Sequence, residues 1–384
     1  MSVSMVFGLL GGLALFLYGM QMMSVNLEAA AGSRMKHILE RLTANRFLGV
    51  CVGAGITAVI QSSSATTVMV VGFVNSGLMT LKQAVWIIMG ANIGTTVTGQ
   101  LIALDIGELA PFITFVGVAL ILFVKRKHVQ FAGGIIAGLG ILFIGMGMMG
   151  EAMVPLRESE VFVNLMTRFS NPLLGILAGA AFTAIIQSSS ASVGILQALA
   201  VSGLIGLDSA VFVLFGQNIG TCITAALASI GASRDAKRAT LIHLLFNVIG
   251  TAVFTAVCII WPLTGLVGDL TPANPAAQIA NMHTLFNIVT TLLLLPFGSQ
   301  LACLAGRLLP DKAMGKAEEE RWFEDLLESE HVLGVSVIAR KQLKEDIGRM
   351  LSLAAENVDK GFLAFGDRDE TELKKILERE EEID

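Results

Sequence analysis

Long uncharged apolar runs alternate along the chain with short polar motifs. Residues 6–23 (VFGLLGGLALFLYGMQMM) contain no charged side chain, and further uncharged runs occupy 84–104 and 109–124. An apolar run of about 18 residues or more is long enough to cross a bilayer core about 30 Å thick. The pattern therefore predicts an all-α integral membrane protein, a class that the 54% hydrophobic and 15% charged composition also favours.

The polar motif QSSSA interrupts two of the apolar stretches, at 61–65 and again at 187–191. Each motif is flanked by arms of about 14 residues, which at about 1.5 Å per residue are too short for a full crossing. We therefore expect each motif to form the tip of a re-entrant helical hairpin. Serine caps helix starts, and the N-terminus of the second arm would carry a partial positive charge able to hold an anion.

The two motifs belong to an internal repeat with an offset of 126 residues. Residues 45–98 align without a gap with 171–224, and 25 of these 54 positions are identical. We count an odd number of crossings between equivalent points, which predicts two repeats of inverted topology. The predicted organisation is repeat 1 at 1–130, repeat 2 with the following spans at 131–306, and a short cytoplasmic helical tail at 307–384.

A second pair of motifs follows the serines, GANIGTTVT at 90–98 and GQNIGTCIT at 216–224. Two glycines around an asparagine in an apolar span predict a broken transmembrane helix in each repeat. Freed carbonyls and threonine hydroxyls would suit sodium, and matching breaks in inverted halves indicate a transporter site. A single such motif would more often serve packing or local hydrogen bonding, but two copies in register favour a binding site.

Basic residues predict the orientation of the chain. The tail from residue 307 contains 13 Lys/Arg and 21 Asp/Glu, against 13 and 10 in the preceding 306 residues. Within the membrane part, the basic residues collect on one side of the predicted topology, which the positive-inside tendency makes cytoplasmic. We therefore predict a plasma-membrane protein with its N-terminus outside and its tail in the cytoplasm. No basic stripe indicates nucleic-acid binding.

With its two QSSSA and two G-x-N-I-G-T motifs, the sequence resembles the type II sodium-dependent phosphate cotransporter family over roughly residues 5–306. The resemblance implies sodium-driven uptake of inorganic phosphate by alternating access, with two re-entrant hairpins meeting at mid-membrane. It also implies the ligands. The phosphate ligands would be Ser62, Ser63, Ser64, Ser188, Ser189 and Ser190. The sodium ligands would be Gln187, Ser188, Asn218, Thr221 and Thr224, with Gln61, Asn92, Thr95 and Thr98 as the counterpart in repeat 1.

The expected partners are inorganic phosphate, sodium ions and the lipid bilayer. The motif segments contain no Asp, Glu, Lys or Arg, so co-bound sodium is the simplest compensation for a buried phosphate charge. The sequence contains no nucleophile with a paired base, no phosphate-binding loop and no metal cluster that would indicate an enzyme. We expect no cofactor. The sequence is compatible with a homodimer but does not determine the oligomeric state.

Two other functions remain open from the sequence. One is a sodium-coupled carrier of another oxyanion or a carboxylate, and the other is a membrane phosphate sensor that signals through the tail. The tail resembles the beginning of a PhoU-like domain, whose acidic metal motif would fall at Glu380 and Asp384. The motifs HLLFN at 243–247 and HTLFN at 283–287 place a histidine and an asparagine on one helix face. Structural hydrogen bonding is their favoured role, with a proton or substrate role as the alternative.

Overall fold

The computed structural model describes residues 3–31, 45–104 and 106–310, together with 352, 357, 358 and 360. By their contacts the residues divide into two compact units, Met1–Asp311 and Lys312–Asp384. The described residues of the first unit are helical or connect helices, and no strand occurs among them. The predicted PhoU-like tail lies almost wholly outside the described residues and stays a prediction.

The helices follow one another in the order that the repeat predicts. The first half contains α1 (Val3–Ala31), α2 (Arg46–Ile60), α3 (Ser63–Asn75), α4 (Leu81–Ile102) and α5 (Ala110–Phe123). The second contains α6 (Lys127–Met153), α7 (Glu160–Arg168), α8 (Pro172–Ile186), α9 (Ser189–Val201), α10 (Leu207–Gly220) and α11 (Cys222–Ala228). The helices after it are α12 (Arg234–Ile260), α13 (Leu263–Leu270), α14 (Pro275–Leu294) and α15 (Gly298–Leu308).

Equivalent residues begin and end the equivalent helices. Asn45 caps α2 and Asn171 caps α8, each by accepting a hydrogen bond from a backbone N–H of the first turn. The loops after α3 and α9 turn at Gly77 and Gly203, with φ of 69° and 67°. Only glycine adopts this left-handed conformation without strain, so both hairpins leave their second arm by the same turn.

Six helical segments of the described chain are long and apolar enough to cross a membrane: Val3–Ala30, Leu81–Ile102, Lys127–Leu156, Leu207–Ala228, Arg234–Ile260 and Pro275–Leu308. They confirm the predicted all-helical, multi-pass character. The run at 109–124 forms the shorter helix α5 of 14 residues, about 21 Å long at 1.5 Å per residue. The odd crossing count requires α5 to span the membrane, so that count stays a prediction.

Helices α1 and α6, which occupy equivalent places in the two repeats, pack closely and antiparallel. A methyl group placed on Gly12 would lie 2.8 Å from the Gly145 carbonyl oxygen, and one on Gly19 would lie 2.6 Å from the Gly138 oxygen. Gly12 and Gly138 are repeat equivalents, as are Gly19 and Gly145. Each helix therefore contacts its own repeat copy through the same residues, as across a twofold axis.

The prediction of a broken helix in each repeat is wrong for the first repeat, and in the second repeat the break is confined to Thr221. Helix α4 runs without interruption through GANIGTTVT. In the second repeat only Thr221 separates α10 from α11, and its backbone remains helical, with φ −58° and ψ −26°. The Thr221 N–H still donates to the Gln217 carbonyl oxygen, at 3.1 Å. The backbone carbonyls predicted to hold sodium are therefore largely used within the helices.

The glycines of these motifs serve close helix packing instead of unwinding. A methyl group on Gly90 would lie 2.0 Å from the Val50 carbonyl oxygen of α2, and one on Gly216 would lie 2.0 Å from the Ile176 oxygen of α8. Gly94 and Gly220, one turn further, meet α2 and α8 in the same way. Small residues four apart let two helix backbones approach closely. Each motif therefore packs its own helix against the first arm of the hairpin, α4 against α2 and α10 against α8.

Replacing Gly90 or Gly216 by alanine should destabilise the protein, because the added methyl group would overlap a backbone carbonyl oxygen. We expect a loss of at least about 2 kcal/mol in the free energy of unfolding, measured by thermal unfolding in detergent. Gly72→Ala is the matched control. A methyl group at Gly72, within α3, has no atom within 4 Å, and its repeat equivalent is already Ala198. An equal loss in the control would contradict the packing role.

Candidate functional site

Each QSSSA motif forms the tip of a helical hairpin. Gln61 ends α2 in the left-handed conformation, with φ 59° and ψ 22°, and Gln187 ends α8 with φ 61° and ψ 15°. Ser62 then caps α3 by accepting a hydrogen bond from Ala65 N–H at 3.1 Å, and Ser188 caps α9 through Ala191 N–H at 3.3 Å. The predicted helix starts at the serines are confirmed in both repeats.

The two tips meet inside the protein. Ser63 Oγ and Ser189 Oγ lie 3.5 Å apart, and both side chains are buried. These serines are repeat equivalents, so the contact lies where the two halves face each other symmetrically. It brings the N-termini of α3 and α9 together, and helix N-termini carry partial positive charge and unpaired N–H groups.

The tip of repeat 1 is closed by hydrogen bonds. Thr98 Oγ1 of α4 donates to Gln61 Oε1 at 2.7 Å, and Gln61 Nε2 donates to the Ala58 carbonyl oxygen. Ser190 of the opposite hairpin completes the cluster, with its Oγ 3.4 Å from Thr98 Oγ1 and 3.5 Å from the Gln61 carbonyl oxygen. All three side chains of the cluster, at Gln61, Thr98 and Ser190, are buried.

The tip of repeat 2 is open in comparison. Gln187 is exposed, although its equivalent Gln61 is buried. Thr224, the equivalent of Thr98, donates to the Thr221 carbonyl oxygen of its own helix turn, at 3.0 Å. No hydrogen bond joins Gln187 to Thr224 within the described residues. Identical motifs therefore adopt different side-chain contacts in the two repeats.

The asparagines expected to bind sodium present one oxygen each. Asn92 Nδ2 donates to the Ile88 carbonyl oxygen at 2.8 Å, and Asn218 Nδ2 donates to Leu214 O at 3.0 Å. Both bonds return to the same helix and leave the carboxamide oxygen for another partner. Thr95 and Thr221 likewise donate to the carbonyl four residues before them, which leaves each hydroxyl oxygen its lone pairs.

The structure brings together only part of the predicted site. Ser63, Ser189, Ser190, Gln61 and Thr98 form one buried polar cluster. Ser62, Ser64 and Ser188 are half-buried at the tips. The described residues contain no group of three or more His, Cys, Asp or Glu side chains that could hold a metal ion. The oxygens that the Ser, Thr, Asn and Gln side chains of this region offer are neutral.

Comparison with known proteins identifies the family. A model of the Na+/Pi-cotransporter family matches residues 15–151 and 153–266. The chain belongs to the Na+/Pi-cotransporter family. Proteins of this family are transporters and not enzymes, with sodium as the co-transported ion, so this member is a multi-pass membrane protein that needs no cofactor.

Individual relatives cover different shares of this family member. It is 34% identical over 298 residues to the uncharacterized protein YqeW of Bacillus subtilis, covering 77% of this chain and 96% of the relative. The putative inorganic phosphate export protein YjbB of Salmonella typhimurium is 30% identical over 306 residues, and the chain spans only 56% of its length. The human sodium-dependent phosphate transport protein 2B is 36% identical over 107 residues, 27% of this chain and 16% of the relative. No solved structure matches.

Two glutamines that contact the site region were missed in the sequence. Gln197 Nε2 donates to the carbonyl oxygens of Gly99 and Ala276, both at 3.0 Å, and Gln217 Nε2 donates to Ser192 O at 3.0 Å. Both side chains are buried. Each glutamine lies in a strongly apolar helix, and this could have identified it in the sequence. A buried side-chain amide must find hydrogen-bond partners inside the fold.

The unequal tips predict unequal effects of one substitution. Thr98→Val removes the hydrogen bonds to Gln61 and Ser190 within a buried cluster, whereas Thr224→Val removes a bond to its own helix turn. We expect Thr98→Val to lower the free energy of unfolding by about 1–3 kcal/mol and Thr224→Val by clearly less. Thermal unfolding in detergent measures both. Equal losses would mean that the tips do not differ as described.

Proposed function

We propose that this protein is a symporter that takes up inorganic phosphate with sodium, through one site between the hairpin tips that is exposed to each side in turn. The contact that carries the proposal is the 3.5 Å approach of Ser63 Oγ and Ser189 Oγ. It joins two capped helix N-termini in a member of the Na+/Pi-cotransporter family. The proposed phosphate ligands are the tip serines at 62–64 and 188–190.

The tips suit an anion without any basic side chain. The first backbone N–H groups of α3 and α9 lack partners within their helices and point toward the meeting place of the tips. Serine hydroxyls add further donors on both sides. A tetrahedral oxyanion would accept hydrogen bonds from both hairpins at once, which would couple its binding to the arrangement of the two repeats.

Sodium would supply the missing positive charge. Segments 57–75, 183–201, 90–98 and 216–224 contain no charged residue, and a phosphate charge in a low-dielectric site is costly without compensation. The proposed sodium ligands are Gln61, Asn92, Thr95 and Thr98 in repeat 1, and Gln187, Ser188, Asn218, Thr221 and Thr224 in repeat 2. Exposure of Gln187 favours the repeat 2 set as the accessible one in this conformation.

Alternating exposure would follow from inverted repeats with re-entrant hairpins. The antiparallel, reciprocal packing of α1 on α6 and the contact of Ser63 with its own equivalent support an inverted relation. The hairpin arms have 13 to 15 residues, about 20 Å at 1.5 Å per residue, and this length supports hairpins that return before crossing. If the two repeats exchanged their side-chain contacts at the tips, the site would be exposed to the opposite side of the membrane.

The direction of transport is part of the proposal. We expect uptake into a cell whose plasma membrane maintains an inward sodium gradient, with the N-terminus outside and the tail in the cytoplasm, as the basic residues favour. The name of the YjbB relatives, putative inorganic phosphate export protein, favours export as a second candidate. A coupled carrier moves phosphate in the direction set by the sum of the sodium and phosphate gradients. Whether phosphate flux is coupled to sodium therefore decides between uptake and export.

Radiolabelled phosphate flux in proteoliposomes tests coupling and direction. An inward sodium gradient should raise the initial rate of phosphate uptake at least about tenfold over the same vesicles in choline, because charge compensation makes phosphate binding depend on sodium. Sulfate and dicarboxylates at equal concentration serve as competitor controls. Uptake indifferent to sodium would contradict symport, and sodium-independent efflux from loaded vesicles would support export.

The tip serines provide the test of the site. Ser63→Ala and Ser189→Ala should each abolish sodium-dependent phosphate uptake while the protein still folds, because each removes a hydroxyl at the meeting place of the tips. Ser76→Ala is a suitable control, since Ser76 lies at the far end of α3 and donates to Gly72 O. Normal uptake in both tip variants, measured at equal protein density, would refute the site assignment.

A further inference from the structure

Helices α12 and α14 carry the same polar residues at the same spacing. His243, Asn247 and Thr251 of α12 correspond to His283, Asn287 and Thr291 of α14 at an offset of 40 residues. Both histidines and both asparagines are buried, at 1% and 0% exposure. The shared pattern is separate from the 126-residue repeat, because its offset is 40 residues.

The two helices also pack in the same way on equivalent helices. Thr251 Oγ1 donates to the Phe215 carbonyl oxygen of α10 at 3.2 Å, and Thr291 Oγ1 donates to the Met89 oxygen of α4 at 3.4 Å. Phe215 and Met89 are repeat equivalents. Phe246 packs in one cluster with Met89, and Phe286 packs in another with Phe215. Helices α12 and α14 are therefore counterparts in space and extend the symmetry of the two repeats.

His283 holds one of the proposed sodium ligands. Its Nε2 lies 3.2 Å from Asn218 Oδ1. Because Asn218 Nδ2 already donates to Leu214 O, the oxygen faces the ring, and His283 Nε2–H is the donor. The bond fixes the carboxamide plane of Asn218 from a helix outside the two hairpins and leaves the second lone pair of Oδ1 for a cation.

His243 lies at the symmetric position without the corresponding bond. Phe246 belongs to the same cluster as Met89, as Phe286 does with Phe215, so the symmetry that pairs His283 with Asn218 makes Asn92 of α4 the corresponding partner of His243. Both ring nitrogens of His243 are buried without a hydrogen-bond partner among the described residues. A buried imidazole without a protein partner is costly, so His243 would gain free energy in an arrangement that pairs it as His283 is paired here.

We propose that His283 and His243 are positioning residues for Asn218 and Asn92, and that they are engaged one at a time. In this conformation His283 orients Asn218 for sodium, and in the opposite-facing conformation His243 takes Asn92 while Asn218 is released. The proposal rests on the proposed sodium-coupled transport. Helices α12 and α14, which lie outside the hairpins, would orient the asparagine of each sodium site in turn.

The other differences between the repeats agree with this alternation. Where the histidine is engaged, in repeat 2, Gln187 is exposed and Thr224 is bonded only to its own helix turn. Where the histidine is not engaged, in repeat 1, Gln61 is buried and bonded to Thr98. Repeat 2 therefore has an open tip, and its Asn218 is hydrogen-bonded to a histidine. Repeat 1 has a closed tip, and its Asn92 lacks that bond within the described residues.

Leucine and glutamine variants test the positioning role. In vesicles that contain the full chain in one orientation, His283→Leu should raise the half-saturating sodium concentration about tenfold at one face and leave the other within about twofold, since a buried hydrogen bond of this kind is lost. His243→Leu should do the same at the opposite face. His283→Gln and His243→Gln keep a donor and should restore sodium affinity to within about threefold.

A purely structural role predicts a different result. It would lower the maximal rate or the melting temperature without shifting sodium dependence at one face. Equal shifts at both faces, no shift at either face, or failure of both glutamine variants to restore affinity would overturn the proposal. The wild-type titration distinguishes the two hypotheses, because sodium-independent phosphate flux in the wild type would refute the proposed function and not the histidine pairing.

Nuclear magnetic resonance of ¹⁵N-histidine in the full chain in liposomes tests the pairing without transport. In the conformation described here, Asn218→Ala should shift the His283 Nε2 resonance and leave that of His243, whereas Asn92→Ala should shift the His243 resonance only in the opposite-facing conformation. Assignments come from the two leucine variants. Absence of the His283 shift, or a response of both histidines to one asparagine, would overturn alternate pairing whatever the flux measurements show.

Discussion

The rest of the structure depends on the close packing of two helix pairs, α2 on α4 in repeat 1 and α8 on α10 in repeat 2. Gly90 and Gly94 of α4, and Gly216 and Gly220 of α10, let the backbones of α2 and α8 lie against them with no room for a side chain. This contact sets the depth and rotation of each hairpin. The place of the tip serines, and so the 3.5 Å contact between Ser63 and Ser189, follows from it.

The tips combine rigid backbone with adaptable side chains. A left-handed glutamine followed by a capping serine gives both hairpins the same turn, and this part of the site is symmetric. Around it, the contacts of Gln61 and Thr98 differ from those of Gln187 and Thr224, and only one of the two asparagines is bonded to a histidine of the described residues. Thr98 bonds to Gln61, while Thr224 bonds to its own helix and Asn218 bonds to His283. In the proposed transport cycle these side chains would exchange partners between two conformations.

Helices α12 and α14 add a frame around the two repeats. Each contacts both repeats, through Phe246 and Thr251 in one case and Phe286 and Thr291 in the other. A movement of one repeat relative to the other would therefore change the contacts of both helices. Coupling of this kind requires an element with two arrangements, and the paired His283 and unpaired His243 are candidates for it.

The sequence by itself determined the apolar helices, the 126-residue repeat, the hairpin tips and the transporter family, because hydrophobic periodicity, capping residues and repeated motifs act locally. It also determined that Gln61 and Gln187 precede capping serines. Only the tertiary structure decided that Gly90 and Gly216 pack against a neighbouring backbone instead of breaking a helix, since the same glycine permits both and the neighbour selects one. It also decided which repeat is closed and that His283, but not His243, is paired, because identical motifs receive different partners only when all the helices are assembled.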